Sequence, residues 1–170
     1  MSKQNAILTP ADRLSSPNGF TKIQSYKKSN ISKKISRELP SKVLLVDDEK
    51  EFVQTLSERL QMRDMVTAVT YDGKAALEMV CKDAPEVMII DLKMPGIDGM
   101  ETLKRVKKVK PEIEVIVLTG HGSEQDKKRC MELGAFAYMQ KPVDIDLLSE
   151  SLKKAYKKLN LYHLFTPSGI

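Results

Sequence analysis

Five polar residues of this chain each follow a short apolar run: Asp47, Asp48, Asp91, Thr119 and Lys141. If the runs are strands of one parallel sheet, these residues meet at the edge where such sheets bind ligands. Three carboxylates without histidine or cysteine favour a hard cation, Mg²⁺ first and Mn²⁺ second. A cation, an ammonium and a hydroxyl together suit a transferring phosphoryl group, and a central carboxylate such as Asp91 can be its nucleophile.

Crowding predicts a further property of this site. Three neighbouring carboxylates repel one another, so at least one should have a raised pKa and bind a proton unless a cation compensates. Each residue also has a simpler interpretation. Asp47 and Asp48 could be turn and capping residues before a helix, Thr119 a hydroxyl that caps the next loop, and Lys141 a solvated turn residue beside Pro142.

Short apolar runs alternate with amphipathic stretches from Val43 onward, which predicts five strands and five helices. The strands are predicted at 43–46, 66–69, 87–90, 113–118 and 135–139, and helix caps at Ser123, Gly134 and Asp144. Strict alternation predicts an α/β fold with a doubly wound parallel sheet and helices on both faces. In the usual strand order, 2-1-3-4-5, Asp91 follows the central strand.

Charge is distributed unevenly along the chain. It has 28 Lys and Arg against 23 Asp and Glu, a net charge of +5, but residues 1–40 hold eight of the basic and two of the acidic residues. The remaining 130 residues are therefore almost neutral, and the basic pI gives no indication that they bind nucleic acid. The arm, 1–40, has the composition of a largely disordered segment. The spacing of Ile31, Ile35 and Leu39 is compatible with a short basic helix over Asn30–Leu39 that needs a partner surface.

Three interpretations of the arm remain open: a solvated tail, a docking segment for an acidic protein, or an anchor for nucleic acid or anionic lipid. The two cysteines, Cys81 and Cys130, are too few for a disulfide framework and are predicted to be buried thiols. The sequence shows neither a signal peptide nor a transmembrane segment, so a cytoplasmic location is expected.

Four motifs, VLLVDDE, IIDLKMPGIDGME, VIVLTGHG and AYMQKP, resemble those of the receiver domain of bacterial two-component response regulators, over about Lys42 to Lys158. The resemblance implies a flavodoxin-like fold with Asp91 as the phosphoacceptor. It also implies that Asp48, Asp91 and the Lys93 carbonyl are metal ligands, and that Asp47 acts on the metal partly through water.

The same resemblance implies that Thr119 and Lys141 contact the phosphoryl oxygens, that the Lys141–Pro142 bond is cis and that Tyr138 is an aromatic switch. The alternative for Tyr138 is an ordinary strand aromatic with its hydroxyl at the surface. Lys93 and His121 lie two residues after Asp91 and Thr119, where side chains in the family flank the path of water. We hypothesise that they set the lifetime of the aspartyl phosphate; the alternative for His121 is an exposed loop histidine without a role.

These observations predict a stand-alone receiver that takes a phosphoryl group from a sensor histidine kinase or a histidine phosphotransfer protein. The plan is an arm (1–40), a receiver (41–160) and an extension (161–170), with no room for a DNA-binding domain. Output is expected through the face of the fourth helix, fifth strand and fifth helix. The apolar end, Leu161 to Phe165, could extend the last helix, join an interface or pack in the core.

Two other functions compete with this one. A phosphorylation-independent scaffold is disfavoured because the acidic, hydroxyl and lysine positions are intact. A phosphohydrolase with an aspartyl-phosphate intermediate, of the haloacid dehalogenase type, needs an acid two residues after the nucleophile, where this chain has Lys93. The protein is therefore not expected to be an enzyme.

Overall fold

The structure is a computed structural model that describes residues 38–40 and 42–165. The predicted arm, except Glu38 to Pro40, and most of the helix proposed for Asn30–Leu39 lie outside the described residues. Glu38 and Leu39 form a bend, and Leu39 packs against a core cluster. None of the described helices is both long enough and apolar enough to cross a membrane.

The described residues form five strands and five helices in alternation, as predicted. The strands are β1 (Val43–Val46), β2 (Thr67–Thr70), β3 (Val87–Ile90), β4 (Glu114–Thr119) and β5 (Ala137–Gln140). The helices are α1 (Lys50–Gln61), α2 (Gly73–Lys82), α3 (Gly99–Val109), α4 (Glu124–Glu132) and α5 (Ile145–Phe165). All pairings are parallel and the order is β2-β1-β3-β4-β5, which confirms the predicted flavodoxin-like fold.

Three strands differ in their boundaries from the prediction. β2 and β4 each begin and end one residue later; β5 ends one residue later, at Gln140, and begins two residues later, at Ala137 instead of 135. The last shift has a clear cause at the end of α4, where Gly134 has a positive φ of 91°. Because the Ala135 N–H donates to the Cys130 carbonyl, this residue closes the helix and cannot yet belong to the strand.

The core consists of two layers, one on each face of the sheet. Alternate strand residues point to opposite faces, so Leu45 packs with α1 and α5 while Leu44 packs with α2, α3 and α4. Burial on both faces explains the uninterrupted apolar strands. Cys130 is buried as predicted, but the prediction for Cys81 was wrong, because it lies on the solvent side of α2 next to buried Val80.

Helix caps and the last helix also follow the sequence. Ser123 and Asp126 form a capping box, and the Asp144 carboxylate accepts hydrogen bonds from the first turn of α5. α5 continues without a break to Phe165. Core packing of its apolar end was a wrong alternative, since Leu161, Leu164 and Phe165 are exposed.

Two glycines shape the turn between β3 and α3, immediately after Asp91. Gly96 has a φ of 76°, a conformation that glycine adopts without steric cost. A Cβ on Gly99 would overlap the carbonyl oxygen of Asp91 and lie 2.8 Å from its carbonyl carbon. α3 can therefore begin directly against the backbone that carries Asp91.

Candidate functional site

Three carboxylates meet at the carboxyl edge of the sheet. Oxygens of Asp47, Asp48 and Asp91 all lie within 4.8 Å of one another. Strand pairing brings them together, because β1 and β3 are neighbours and the Asp91 N–H donates to the Val46 carbonyl at 2.9 Å. Asp47 and Asp91 are only 4% and 5% exposed, whereas Asp48 faces solvent. This is the convergence that the sequence predicted for these positions.

Lys141 reaches this cluster from the end of β5. Its Nζ donates to Asp47 Oδ2 and Glu49 Oε1, both at 2.7 Å, and lies 3.9 Å from Asp91 Oδ1. The ammonium also lies 4.2 Å from the centroid of the Phe52 ring, a favourable cation–π position. The Lys141–Pro142 bond is cis, as the resemblance of the motifs to receiver domains implied. Lys141 is therefore a turn residue whose side chain points inward, and the solvated-turn alternative is wrong.

Burial and neighbouring charges shift the pKa values of these groups. Burial raises the pKa of Asp47 and outweighs the opposing hydrogen bond from Lys141, and the Asp91 charge adds to the rise. One carboxyl therefore has the raised pKa that the sequence predicted, but burial is its main cause and repulsion between the carboxylates is only a minor one. Burial alone would lower the pKa of Lys141, but hydrogen bonds to Asp47 and Glu49, together with the nearby carboxylate charges, outweigh it and raise this pKa. The same bond from Lys141 lowers the pKa of Glu49.

Asp91 is held by the loop that follows it. The Lys93 N–H donates to Asp91 Oδ2 at 2.9 Å, which fixes one carboxylate oxygen. The Lys93 side chain is exposed at the rim. The Lys93 charge also affects Asp126, in the first turn of α4, whose pKa is lowered. Hydrogen bonds from Ser123 are the main cause of that lowering, and the Lys93 charge contributes to it. The Lys93 carbonyl as a metal ligand stays a prediction.

Thr119 and His121 form the adjoining end of β4. Thr119 is completely buried, and its Oγ1 accepts a hydrogen bond from the His121 N–H at 3.3 Å. The predicted capping of the next loop is therefore present, and the hydroxyl hydrogen is still available as a donor. The His121 side chain is exposed, and its charge contributes to the lowered pKa of Glu49.

Tyr138 lies behind the site, within β5. Its ring packs against the core layer that includes α3 and α4, and burial raises the pKa of its hydroxyl. The hydroxyl oxygen is buried and has no hydrogen-bond partner among the described residues. The structure thus places Tyr138 half-buried against this core layer with its hydroxyl buried, so the alternative with the hydroxyl at the surface is wrong.

Three residues of the site were not singled out from the sequence. Glu49 holds Lys141, Phe52 lies beneath its ammonium, and Gly122 lies against the Tyr138 hydroxyl. Glu49 belongs to the motif VLLVDDE and Gly122 to VIVLTGHG, so their positions were visible. Their contacts were not, because each depends on a partner distant in the chain.

The chemistry of the acidic cluster fits a hard divalent cation. All three side chains offer carboxylate oxygens, and their separations allow one ion to be shared. Crowding of three carboxylates around one lysine leaves negative charge that such an ion would neutralise. Mg²⁺ is consistent with these ligands.

An open five-stranded parallel sheet with this acidic pocket and an inward lysine places the protein in the flavodoxin-like class, with a site suited to a divalent cation and a phosphoryl group. The chain belongs to the response regulator receiver family, whose model matches residues 43–153. Such domains are generally non-enzymatic signalling modules of two-component systems, typically phosphorylated on aspartate. They generally bind Mg²⁺ in an acidic pocket and interact with histidine kinases or phosphotransfer proteins.

Individual relatives agree with this assignment. The chain is 36% identical over 113 residues to sporulation initiation phosphotransferase F of Bacillus subtilis, covering 66% of this chain and 91% of the relative. It is 35% identical over 115 residues to the C4-dicarboxylate transport transcriptional regulatory protein DctD of Pseudomonas aeruginosa, covering 68% of this chain but 25% of the relative. A receiver domain structure from Clostridium thermocellum matches with a TM-score of 0.69 and 31% identity, covering 72% and 98% of the two chains.

Proposed function

We propose that this receiver acts as a phosphoacceptor and that Asp91 takes a phosphoryl group from the phosphohistidine of a sensor kinase or a histidine phosphotransfer protein. The observation that carries the proposal is the buried Asp91 carboxylate, which lies at the central strand end beside two further carboxylates and an inward lysine. A carboxylate oxygen of Asp91 attacks phosphorus, the phosphorus–nitrogen bond breaks, and the imidazole leaves. The product is an acyl phosphate.

Lys141 and Thr119 have hydrogen-bond donors to spare for this group. An ammonium has three N–H donors, and Asp47 and Glu49 use two of those of Lys141. The third can donate to a phosphoryl oxygen on Asp91. The Thr119 hydroxyl accepts from the His121 N–H, so its own hydrogen can point at the same phosphoryl group. Both contacts supply positioning and charge neutralisation, which are the main needs of phosphoryl transfer.

Asp47, Asp48, Asp91 and the Lys93 carbonyl would hold Mg²⁺ or Mn²⁺ in this proposal. The bound ion supplies positive charge that neutralises the transferring phosphoryl group. Asp48 is the exposed member of the cluster, so it would be the ligand of such an ion that lies nearest to solvent. Asp47 is tied to Lys141, which suits the indirect role implied for it.

Signal output would pass to a protein partner through the surface of α4, β5 and α5. The proposal is supported by the exposure of α4, in which Cys130 alone is buried, and by the position of β5 at the edge of the sheet. Tyr138 lies on β5 behind this surface, so a change in its side chain would reach α4 and β5 directly. The Bacillus relative, named as a phosphotransferase, supports phosphoryl exchange as the underlying chemistry.

The proposal is tested by labelling the full chain with acetyl phosphate, a small phosphoryl donor. Intact mass should show one added phosphoryl group in the presence of Mg²⁺, and peptide mapping should locate it on Asp91. Removing the metal with EDTA is expected to slow labelling by at least about tenfold, because the metal neutralises the developing charge. Labelling at another residue would exclude Asp91 as the phosphoacceptor, and no labelling at all would favour a phosphorylation-independent scaffold.

The lifetime of the acyl phosphate is expected to depend on Lys93 and His121. Both side chains are exposed at the rim of the site, where they can obstruct or orient an attacking water. Replacing both by alanine should change the self-hydrolysis rate by about threefold or more, measured as loss of labelled protein after the donor is removed. Lys128→Ala, on the exposed side of α4, is the control. An unaltered rate in the double variant would contradict the hypothesis.

A further inference from the structure

Gly122, in the loop between β4 and α4, lies directly against the hydroxyl end of Tyr138. A Cβ built on Gly122 would overlap the Tyr138 hydroxyl oxygen and lie 2.9 Å from its Cζ. It would also lie 3.1 Å from Thr119 Cγ2. In proteins a Cβ essentially never lies closer than 3.0 Å to a heavy atom outside its own residue and the two neighbouring residues. The position of the Tyr138 ring therefore requires that residue 122 has no side chain.

Two opposing contributions act on Tyr138 in this position. Packing of its ring against the core layer on the α3 and α4 side of the sheet stabilises this position. Burial of its hydroxyl without a hydrogen-bond partner among the described residues destabilises it. Outward rotation would reverse both, because the hydroxyl would be hydrated and the ring would leave the core. A steric change beside the hydroxyl therefore alters the free-energy difference between the inward and outward orientations of Tyr138.

A hydrogen bond links the same loop to the Thr119 side chain. The His121 N–H donates to Thr119 Oγ1, and the Thr119 methyl group faces the Gly122 position. A change in the direction of the Thr119 hydroxyl therefore alters a hydrogen bond within the loop that carries Gly122. Since Gly122 lies against the Tyr138 hydroxyl, the loop forms a continuous connection from the end of β4 to the middle of β5.

We propose that Gly122 is a positioning residue that decides which way Tyr138 faces. By lacking a Cβ it admits the ring beneath the loop, and through His121 it couples the Thr119 hydroxyl to the ring. The coupling to a phosphoryl signal rests on the proposed function, whereas the placement of Tyr138 by Gly122 does not. Any side chain at this position should shift Tyr138 outward toward solvent.

The test compares Gly122→Ala with Gly120→Ala in the full chain. Gly120 belongs to the same loop, but a Cβ there would meet Lys141 at 3.9 Å, an ordinary contact. Tyrosines carrying ¹³C in the ring give NMR signals, and the signal of Tyr138 is the one lost in Tyr138→Phe. A soluble gadolinium chelate should broaden this signal strongly in Gly122→Ala and weakly in wild type and Gly120→Ala. Equal protection in all three proteins, or equal exposure in both variants, would overturn the proposal.

A second measurement separates a specific contact from general damage. Tyr138→Phe removes the oxygen that the new Cβ would overlap, so it should partly rescue Gly122→Ala. Gly122→Ala is expected to lower Tm by about 4 °C in the tyrosine background and by clearly less in the Tyr138→Phe background. Equal lowering in both would overturn the proposal. If Gly122→Ala does not fold, a folded double variant supports the contact and an unfolded one overturns it.

Adding beryllium fluoride with Mg²⁺, as a mimic of the phosphoryl group, tests the coupling. In wild type it should change the broadening of the Tyr138 signal, and in Gly122→Ala the response should be smaller by at least about twofold. Equal responses would overturn the coupling. Labelling of Asp91 in wild type tests the proposed function separately. If Asp91 is not labelled but Tyr138 still moves outward in Gly122→Ala, the proposed function is wrong and the placement of Tyr138 by Gly122 is retained.

Discussion

Asp91→Asn should reduce phosphoryl incorporation from a small donor by at least about 100-fold. The amide keeps the size of the side chain and can still accept the Lys93 N–H, but it is not a nucleophile toward phosphorus. The variant should fold normally, because it removes one of three crowded carboxylates and leaves Lys141 with its two short partners. Incorporation is measured by intact mass after equal exposure to acetyl phosphate and Mg²⁺.

Asp98→Asn is the matched control for this experiment. Asp98 lies in the same loop and caps α3 by accepting the Glu101 N–H at 2.8 Å. Asparagine caps helices about as well as aspartate, so the control loses a carboxylate of the same loop without losing the cap. Its labelling should match wild type. Comparable labelling of wild type and Asp91→Asn would mean that another residue is the acceptor.

Lys141→Met is expected to lower the free energy of unfolding by about 3 kcal/mol near neutral pH. Lys141 and Asp47 form a buried pair, with side chains 11% and 6% exposed, and removing one partner leaves a buried charge uncompensated. Urea unfolding measures the change. Mg²⁺ at saturating concentration should recover part of the loss, because a cation bound among the carboxylates stabilises the folded state.

The pH dependence of this loss follows from the pKa of Asp47. That pKa is raised above its ordinary value of 3.8, mainly by burial, although Lys141 opposes the rise. Without Lys141 it should rise further. A carboxyl with a raised folded-state pKa stabilises the fold below its ordinary pKa, and this contribution is lost as pH rises through the folded-state value. The deficit of Lys141→Met should therefore be smallest near about pH 4 and grow toward about pH 7.

The control for Lys141→Met is Lys154→Met. Lys154 makes an exposed pair with Glu150 at 3.6 Å on α5, and such pairs contribute roughly 0 to 1 kcal/mol. Its deficit should be small and nearly independent of pH over the same range. A deficit of Lys141→Met that does not change with pH, or that equals the control, would show that Asp47 does not depend on this lysine.

Much of the fold was readable from local patterns. The apolar runs at 43–46 and 87–90 coincide with β1 and β3, and the caps at Ser123, Gly134 and Asp144 are all present. Prediction from local sequence succeeds at these places because caps and buried runs depend on residues only a few positions apart. Such prediction failed at the start of β5, because the Ala135 N–H donates to the Cys130 carbonyl and so belongs to the end of the preceding helix.

The composition of the site was also readable, since strand ends in a parallel sheet must share an edge. The prediction of three converging carboxylates and an inward lysine required only the strand order. The roles of these groups in phosphoryl transfer remain proposals. The orientation of the Tyr138 ring was not readable, because it depends on the space left by Gly122 in a different loop.

The sequence by itself determined which groups stand at the carboxyl edge, because the periodicity of apolar residues specifies the strands and the strand ends specify the neighbours. Only the tertiary structure decided how those groups are paired. Lys141 binds Asp47 and Glu49 in preference to Asp91, and Tyr138 lies beneath Gly122. These contacts join residues far apart in the chain, and their distances arise from packing of the whole domain, which no local pattern encodes.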